Sequence, residues 1–211
     1  MNCRLYRIII LCVLLSLLLT APVAAASVPQ VARLSLVTEN AWDLDQDTID
    51  MLDDMVADAL HMPFGGLMGW VQDVDEHDLF AAYNAAVEMK RTTRDTPDYP
   101  AIVRMVADVT DADLAVLPNL TYYDEEIYHG WDFSADDYLV SRASVRLLVY
   151  DRQKDELVDR RITRTFRDEY AVRGRAHELA RDAMRAVLAE VRLKERVRDL
   201  REAARSGRYP Y

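Results

Sequence analysis

Two β-prone segments near the carboxyl end constrain the fold more than any other feature of the chain. They are SRASVRLLVYD (141–151) and ELVDRRITRTF (156–166), and only the polar residues 152–155 separate them. Every second residue from Val145 to Val149 is apolar, which is the pattern of a half-buried strand. The sequence therefore predicts an antiparallel hairpin, and the fold must include a sheet that this hairpin joins.

The remainder of the chain predicts helices that alternate with strands. Asp47 or Thr48 is expected to cap the first helix. Because early strands alternate with helices and the hairpin is antiparallel, we predict an α/β (α+β) fold with a mixed sheet of about four to five strands, flanked by helices. Strands are predicted at 31–37, 67–71 (weak) and 113–120, and helices at 49–60, 76–90, 99–112 and 174–191.

Residues 1–26 have the layout of a secretory signal peptide. A basic start (MNCRLYR) precedes an apolar run from Ile8 to Leu19 and then small residues, with cleavage expected after Ala26 or one residue earlier. A retained membrane anchor is the alternative, but the apolar run is shorter than the roughly 20 residues that cross a bilayer. We predict an exported protein, periplasmic or secreted, without a transmembrane segment after cleavage.

Both cysteines of the chain, Cys3 and Cys12, belong to this leader. The mature chain therefore has no thiol for catalysis, for metal binding or for a disulfide. Ser27 stands where a bacterial lipoprotein carries its lipid-bearing cysteine, so the sequence predicts a protein that is not lipid-anchored. Residues 27–191 are expected to form a single α/β domain, and residues 192–211 a basic helical tail.

Acidic and basic side chains are distributed unevenly along the mature chain. Residues 27–139 contain 24 acidic and 5 basic side chains, whereas residues 140–211 contain 12 acidic and 19 basic ones. The sums, 36 acidic and 24 basic, give a net charge of −12, which argues against a nucleic-acid binder. The two halves either neutralise each other within one domain or guide contact with other molecules.

An acidic and aromatic segment, residues 122–137, follows the strand predicted at 113–120 and is interpreted as a loop. A hydrolase would use two of its carboxylates as acid and base, and a divalent cation would need several converging oxygens. A surface that binds a partner is the favoured interpretation, since tyrosine and tryptophan combine apolar area with a polar group. The candidate binding residues are Tyr122, Tyr123, Asp124, Glu125, Glu126, Tyr128, His129, Trp131 and Asp132.

The chain shows no recognised catalytic or metal-binding spacing. Asp43, Asp45 and Asp47 resemble the start of a calcium loop, but Thr48 and Asp54 stand where that loop requires Gly and Glu. The histidines are scattered, and no P-loop, dinucleotide fingerprint or nucleophile elbow occurs. We therefore predict no catalytic residue, no metal site and no cofactor.

The order of the elements resembles one superfamily of bacterial envelope proteins. The features that carry the resemblance are a leading strand–helix unit, the strand ADLAVLPNL, the hairpin SVRLLVYDRQKDELV and a closing alanine-rich helix, within residues 31–191. This superfamily comprises the curli-secretion outer-membrane lipoproteins, the TolB amino-terminal domain and the lipoprotein activators of peptidoglycan synthases. The resemblance implies an envelope protein that works by binding or assembly.

These observations together predict a non-enzymatic protein of the bacterial envelope, secreted or periplasmic, that acts as a binding or assembly module. Its expected partner is an envelope protein or a cell-wall component, and self-association is left open. The alternative is a small extracytoplasmic hydrolase that uses the segment 122–137.

Overall fold

A computed structural model of the chain describes six stretches of residues, and they confirm the predicted fold class. One mixed sheet carries helices on both faces. The predicted signal peptide (1–26), most of the weak strand at 67–71 and residues 130–137 of the acidic segment lie outside the described residues. The described residues are 28–41, 43–61, 71–90, 97–129, 138–169 and 172–206.

The sheet has six strands in the order β3-β1-β4-β5-β6, and β2 also pairs with β4. The pairs that involve β1, β2 and β3 are parallel, whereas β4, β5 and β6 form an antiparallel run. Val31 and Ala32 of β1 are both fully buried, as expected for a parallel strand that is covered on both faces. The strands are β1 (Gln30–Arg33), β2 (Val37–Thr38), β3 (Gln72–Asp73), β4 (Leu114–Tyr128), β5 (Tyr138–Asp151) and β6 (Glu156–Glu169).

The predicted hairpin is confirmed and is longer than the sequence pattern indicated, since β5 and β6 pair over fourteen residues each. At the turn, the buried carboxylate of Asp151 accepts hydrogen bonds from the backbone N–H groups of Gln153 and Lys154, both at 3.2 Å. Asp155 takes a φ of 48°, in the left-handed region that aspartate tolerates in turns. The turn chemistry therefore fixes the register of the two strands.

Five α-helices flank the sheet within the described residues, and an aspartate caps each of the first three. The prediction that Asp47 or Thr48 caps the first helix is wrong, because Asp45 precedes the helix and accepts hydrogen bonds from the N–H and hydroxyl of Thr48. None of the described helices is both long enough and apolar enough to cross a membrane. The helices are α1 (Gln46–Leu60), α2 (Glu76–Met89), α3 (Tyr99–Val109), α4 (Ala176–Val191) and α5 (Leu193–Arg205).

Helices α1, α4 and α5 cover one face of the sheet. Leu52 of α1 and Met184 of α4 pack with Leu147 of β5 in one cluster, and all three side chains are completely buried. The burial of each such side chain contributes about 1.5–3 kcal/mol. This helix-covered face is the larger of the two cores.

Helices α2 and α3 cover the opposite face only near the start of β4. Ala115 and Leu117 of β4 and Leu148 of β5 pack there with Ile102 and Val106 of α3. None of the side chains farther along β4, from residue 118 to 128, belongs to this second cluster. The half of this face that lies toward the end of β4 is therefore available for polar and aromatic side chains.

The predicted basic tail begins with a helix that packs on the domain. Arg192 takes a φ of 52° and turns the chain from α4 into α5. Leu193, Val197 and Leu200 of α5 are buried in the same cluster as the residues of α1 and α4. The predicted domain boundary after Val191 stays a prediction, and its test is the stability of a chain that lacks this helix.

Candidate binding surface

The first half of the segment that was interpreted as a loop is a strand. β4 continues to Tyr128, where it pairs with Tyr138 of β5. The loop interpretation is wrong for residues 122–128, because tyrosine and isoleucine favour strands and β5 supplies a hydrogen-bonding partner along this length. His129 follows the strand directly. Trp131 and Asp132 lie outside the described residues.

A bulge in β4 decides which candidate side chains reach solvent. The register with β5 shifts between Leu120 and Tyr122, so that Thr121 is an extra residue. Strict alternation would place Leu120 and Tyr122 on one face, yet Leu120 and Tyr123 share the helix-covered core. The bulge thus turns the side chains of Tyr122, Asp124 and Glu126 to the other face of the sheet.

Tyr123 and Glu125 point toward the helices and are structural. Tyr123 is buried beside Thr48, and burial raises the pKa of its hydroxyl above the usual value, while the hydrogen bond with Thr48 acts in the opposite direction. One oxygen of Glu125 accepts a hydrogen bond from the backbone N–H of Ala176 at 2.7 Å, and the other lies 2.5 Å from Nε of Arg175. Glu125 therefore closes the amino end of α4, which has no side-chain cap of its own.

The remaining candidates of β4 form, together with β5 and β6, what we term the distal sheet surface. The guanidinium of Arg142 lies over the ring of Tyr122, 4.8 Å from its centroid, and Arg142 is the cross-strand neighbour of Asp124. Thr163, Thr165 and Arg167 of β6 are exposed on the same face. We define the distal sheet surface as Tyr122, Asp124, Glu126, Tyr128, Tyr138, Arg142, Thr163, Thr165 and Arg167.

Two stacked tyrosines stand at the end of this surface. The rings of Tyr128 and Tyr138 have centroids 5.0 Å apart and an angle of 10° between their planes. The hydroxyl of Tyr128 donates a hydrogen bond to Glu126, which raises the pKa of that hydroxyl. Tyr128 and Tyr138 remain 43% and 36% exposed, and neighbouring Ile127 is 43% exposed. Apolar area is thus presented to solvent on strands whose backbone is held by pairing.

A network of polar side chains lies at the base of the surface, where the helix cover ends. The amide of Asn119 donates a hydrogen bond to Glu39 at 2.8 Å, and Glu39 also bonds with the hydroxyl of Tyr99. Burial, followed by the nearby Glu39, raises the pKa of Tyr99 to about 12. Arg146 is held by Asp159 through two hydrogen bonds of 2.8 and 2.5 Å. These contacts hold the strands beneath the surface in place, although the buried Oδ1 of Asn119 has no hydrogen-bond partner among the described residues.

Tyr138 and Arg142 of the distal sheet surface were not among the candidates from the sequence. Both belong to β5, where Tyr138 pairs with Tyr128 and Arg142 pairs with Asp124. Only a predicted register for the β4–β5 pair would have identified them. The segment between the two strands was interpreted as a loop from Tyr122 onward, so that register could not be drawn from the sequence.

Among the described residues, no three histidine or carboxylate side chains converge as metal ligands. His61 and His177 each lie near one carboxylate, with nitrogen–oxygen distances of 3.7 Å to Asp73 and 3.4 Å to Glu178. Of the neighbouring carboxylates at 124–126, Glu125 is engaged at the opposite face of the sheet.

No protein-family model and no curated protein matches the chain. Several solved structures resemble it at low identity. The hypothetical protein CT253 from Chlamydia trachomatis has 14% identity and a TM-score of 0.44, with 78% of this chain and 96% of that chain covered. Lipoprotein GNA1162 from Neisseria meningitidis has 11% identity and a TM-score of 0.40, with 77% and 97% covered. The LpoB carboxyl-terminal domain from Salmonella enterica has 12% identity and a TM-score of 0.33, with 74% and 91% covered.

These values describe similar structures and identify neither a family nor a function. The names nevertheless correct one prediction, that the exported chain is not lipid-anchored. The Neisseria meningitidis protein is named a lipoprotein, as are similar structures from Acinetobacter baumannii and Caulobacter crescentus. The prediction is wrong against these findings, because it rested only on the residue at one cleavage position, and that position lies outside the described residues.

Proposed function

We propose that this chain is a binding or assembly module of the bacterial envelope, without enzymatic activity, and that it engages its partner through the distal sheet surface. The observation that carries the proposal is the exposure of the stacked rings of Tyr128 and Tyr138 at the end of paired strands. Exposed apolar side chains that lie next to one another are typical of surfaces that bind a partner. The partner is an envelope protein or a cell-wall component, and the chain reaches it after export.

The composition of the surface suits a partner that has both apolar and polar groups. Tyrosine and arginine are enriched where proteins bind one another, because each combines a large contact area with hydrogen-bonding groups. Here Arg142 and Asp124 flank the tyrosines and can orient a polar partner. Since the strands are ordered by backbone pairing, binding would require little additional ordering of the protein.

The experiment compares the wild-type chain with the double variant Tyr128→Ala/Tyr138→Ala in a pull-down from an envelope extract of the source organism. Phe80→Ala is the matched control, because Phe80 is an exposed aromatic residue on α2 and does not belong to this surface. We expect the double variant to lose the captured partner and the control to retain it. Hydrogen exchange on the wild-type complex should slow in β4 and β5.

The proposal fails if the double variant captures the same partner as the wild type, or if protection falls on α2 or α3 instead. The double variant Asp124→Ala/Glu126→Ala, tested in the same envelope extract, distinguishes a hydrolase from a binding module. These two carboxylates share the distal sheet surface, so a hydrolase that uses them would lose turnover in this variant. A binding module would show no turnover in either form.

A further inference from the structure

Strand β6 forms one edge of the sheet over its whole length, residues Glu156–Glu169. It pairs with β5 residue for residue, from Asp151↔Glu156 to Tyr138↔Glu169, and no bulge interrupts this register. Among the described strands, none pairs with its other side. Every second residue of β6 therefore directs its backbone N–H and C=O groups away from the sheet, over about 45 Å.

This edge lacks most of the features by which proteins protect such strands. Protection normally comes from short length, proline, a bulge or a covering element. β6 has fourteen residues, and the sequence ELVDRRITRTFRDE contains no proline and no glycine. The side chains of Arg161, Arg164 and Arg167 are exposed, and no described strand pairs with the outer side of β6 there.

The one protective feature that β6 retains is positive charge. Residues 160–167 contain four arginines and no acidic residue, and acidic residues occur only toward the two ends of the strand. Arg160 is paired with Glu190 at 3.2 Å. Within the described residues, Arg161, Arg164 and Arg167 form no ion pair within 4 Å of their nitrogens. Among the described residues, three cationic side chains thus line an open edge with no carboxylate within 4 Å, although Asp159 lies close enough to Arg161 to interact electrostatically.

The charge selects which strand can pair with this edge. A second copy of β6 in antiparallel register would place the two 160–167 runs opposite each other, and like charges in cross-strand positions are destabilising. A strand with carboxylates at alternate positions would instead place opposite charges in those positions. Arg161 and Arg167 lie on the face that carries Thr163, whereas Arg164 lies on the helix-covered face, so carboxylates on either face of an added strand meet an arginine.

We infer that the outer edge of β6 accepts an extended acidic peptide segment of a partner protein as an additional strand. Backbone hydrogen bonds hold the segment, and the arginines select acidic sequences and set their register. This edge shares Arg167 with the distal sheet surface but none of its tyrosines, and it binds through the outer backbone groups of β6. The inference therefore goes beyond the proposed function and does not depend on it.

The test uses a synthetic octapeptide that alternates glutamate with valine, blocked at both ends and labelled with a fluorophore. Anisotropy titrations of the full chain should show binding that weakens as salt rises. Hydrogen exchange of the complex should slow within residues 156–169. A peptide of the same sequence with N-methyl groups on alternate backbone nitrogens should not bind, because it keeps the charge and loses the hydrogen-bond donors.

Charge reversal on the protein provides the second comparison. Arg161→Glu/Arg164→Glu/Arg167→Glu should weaken binding at least tenfold. Arg185→Glu/Arg198→Glu/Arg205→Glu is the matched control, since it changes three exposed arginines of α4 and α5, and it should stay within twofold. Circular dichroism checks that both variants are folded. If the first variant does not fold, the two peptides on the unchanged protein decide the question.

Three results would overturn the inference. The first is that the glutamate–valine peptide fails to bind at millimolar concentration. The second is that the N-methylated peptide binds equally well, which would indicate charge attraction without strand addition. The third is a protein dimer in which the exchange of residues 156–169 is slowed in the absence of peptide. That dimer would show that a second copy of the chain occupies the edge.

Discussion

Leu200 on α5 offers the sharpest test of whether the carboxyl-terminal helix belongs to the core. Its side chain is only 3% exposed and packs in the cluster that contains Leu52 and Val149. Replacement by alanine leaves a cavity, and such changes cost about 2–5 kcal/mol of the free energy of unfolding. For a domain of this size, about 1 kcal/mol corresponds to about 2–4 °C in Tm, so we expect Leu200→Ala to lower the Tm by about 4–20 °C.

Thermal unfolding followed by circular dichroism measures this effect, and urea denaturation measures the free energy independently. Asp199→Ala is the control, because Asp199 is the exposed neighbour on the same helix and its removal should change stability by about 0.5 kcal/mol or less. An unchanged Tm for Leu200→Ala would refute the packing of α5 on the core. Residues 27–191 would then form a complete domain, as predicted from the sequence.

Removal of residues 192–211 is the larger version of the same test. It deletes the buried side chains Leu193, Val197 and Leu200, which together contribute about 4.5–9 kcal/mol at about 1.5–3 kcal/mol each. Because whole domains are stable by only about 5–15 kcal/mol, we expect the shortened chain to lose cooperative unfolding. A shortened chain with the wild-type Tm would contradict this reasoning.

Three further outcomes are expected. Glu125→Ala removes the acceptor for the Ala176 N–H and should cost about 1–3 kcal/mol in urea unfolding, whereas Glu126→Ala on the exposed face should be nearly neutral. Asp159 accepts hydrogen bonds from Arg146, and these lower the pKa of the Asp159 carboxyl group. Asp159 therefore stabilises the fold at pH values above its usual pKa, and this contribution is lost as the pH falls through the lowered pKa. The stability difference between wild type and Asp159→Asn should therefore be present at neutral pH and shrink below about pH 4, and an equal difference at both would contradict this. Chelation with EDTA should leave the Tm unchanged, and a fall reversed by calcium would reveal a cation site.

Much of the architecture was predictable because it depends on local pattern. The alternation from Val145 to Val149 and the polar turn after it identify the β5–β6 hairpin, since strand periodicity and turn residues are both visible in sequence. The apolar stripe of α4 is equally local. The cap of α1 was misplaced by two to three positions, because Asp45, Asp47 and Thr48 are all suitable capping residues and only the backbone path distinguishes them.

The candidate surface was predictable only in part. The concentration of tyrosines and carboxylates at 122–128 indicated a binding surface, and four of those residues do share one exposed face. The assignment of the segment to a loop hid the contribution of β5. Tyr138 and Arg142 become neighbours of Tyr128 and Tyr122 only once the two strands are paired.

The sequence by itself determined the fold class, the hairpin, the helix faces and the charge asymmetry, because each follows from residue spacing along a short stretch of chain. Tertiary structure alone decided the direction of the side chains at 122–126. The extra residue Thr121 shifts the alternation, so Tyr122 faces solvent and Tyr123 faces the core. The tertiary structure also makes Glu125, a surface candidate from the sequence, the acceptor for the first N–H of α4, which is 51 residues away. Contacts between distant parts of the chain offset the entropy cost of closing so long a loop, and no local sequence pattern contains these contacts.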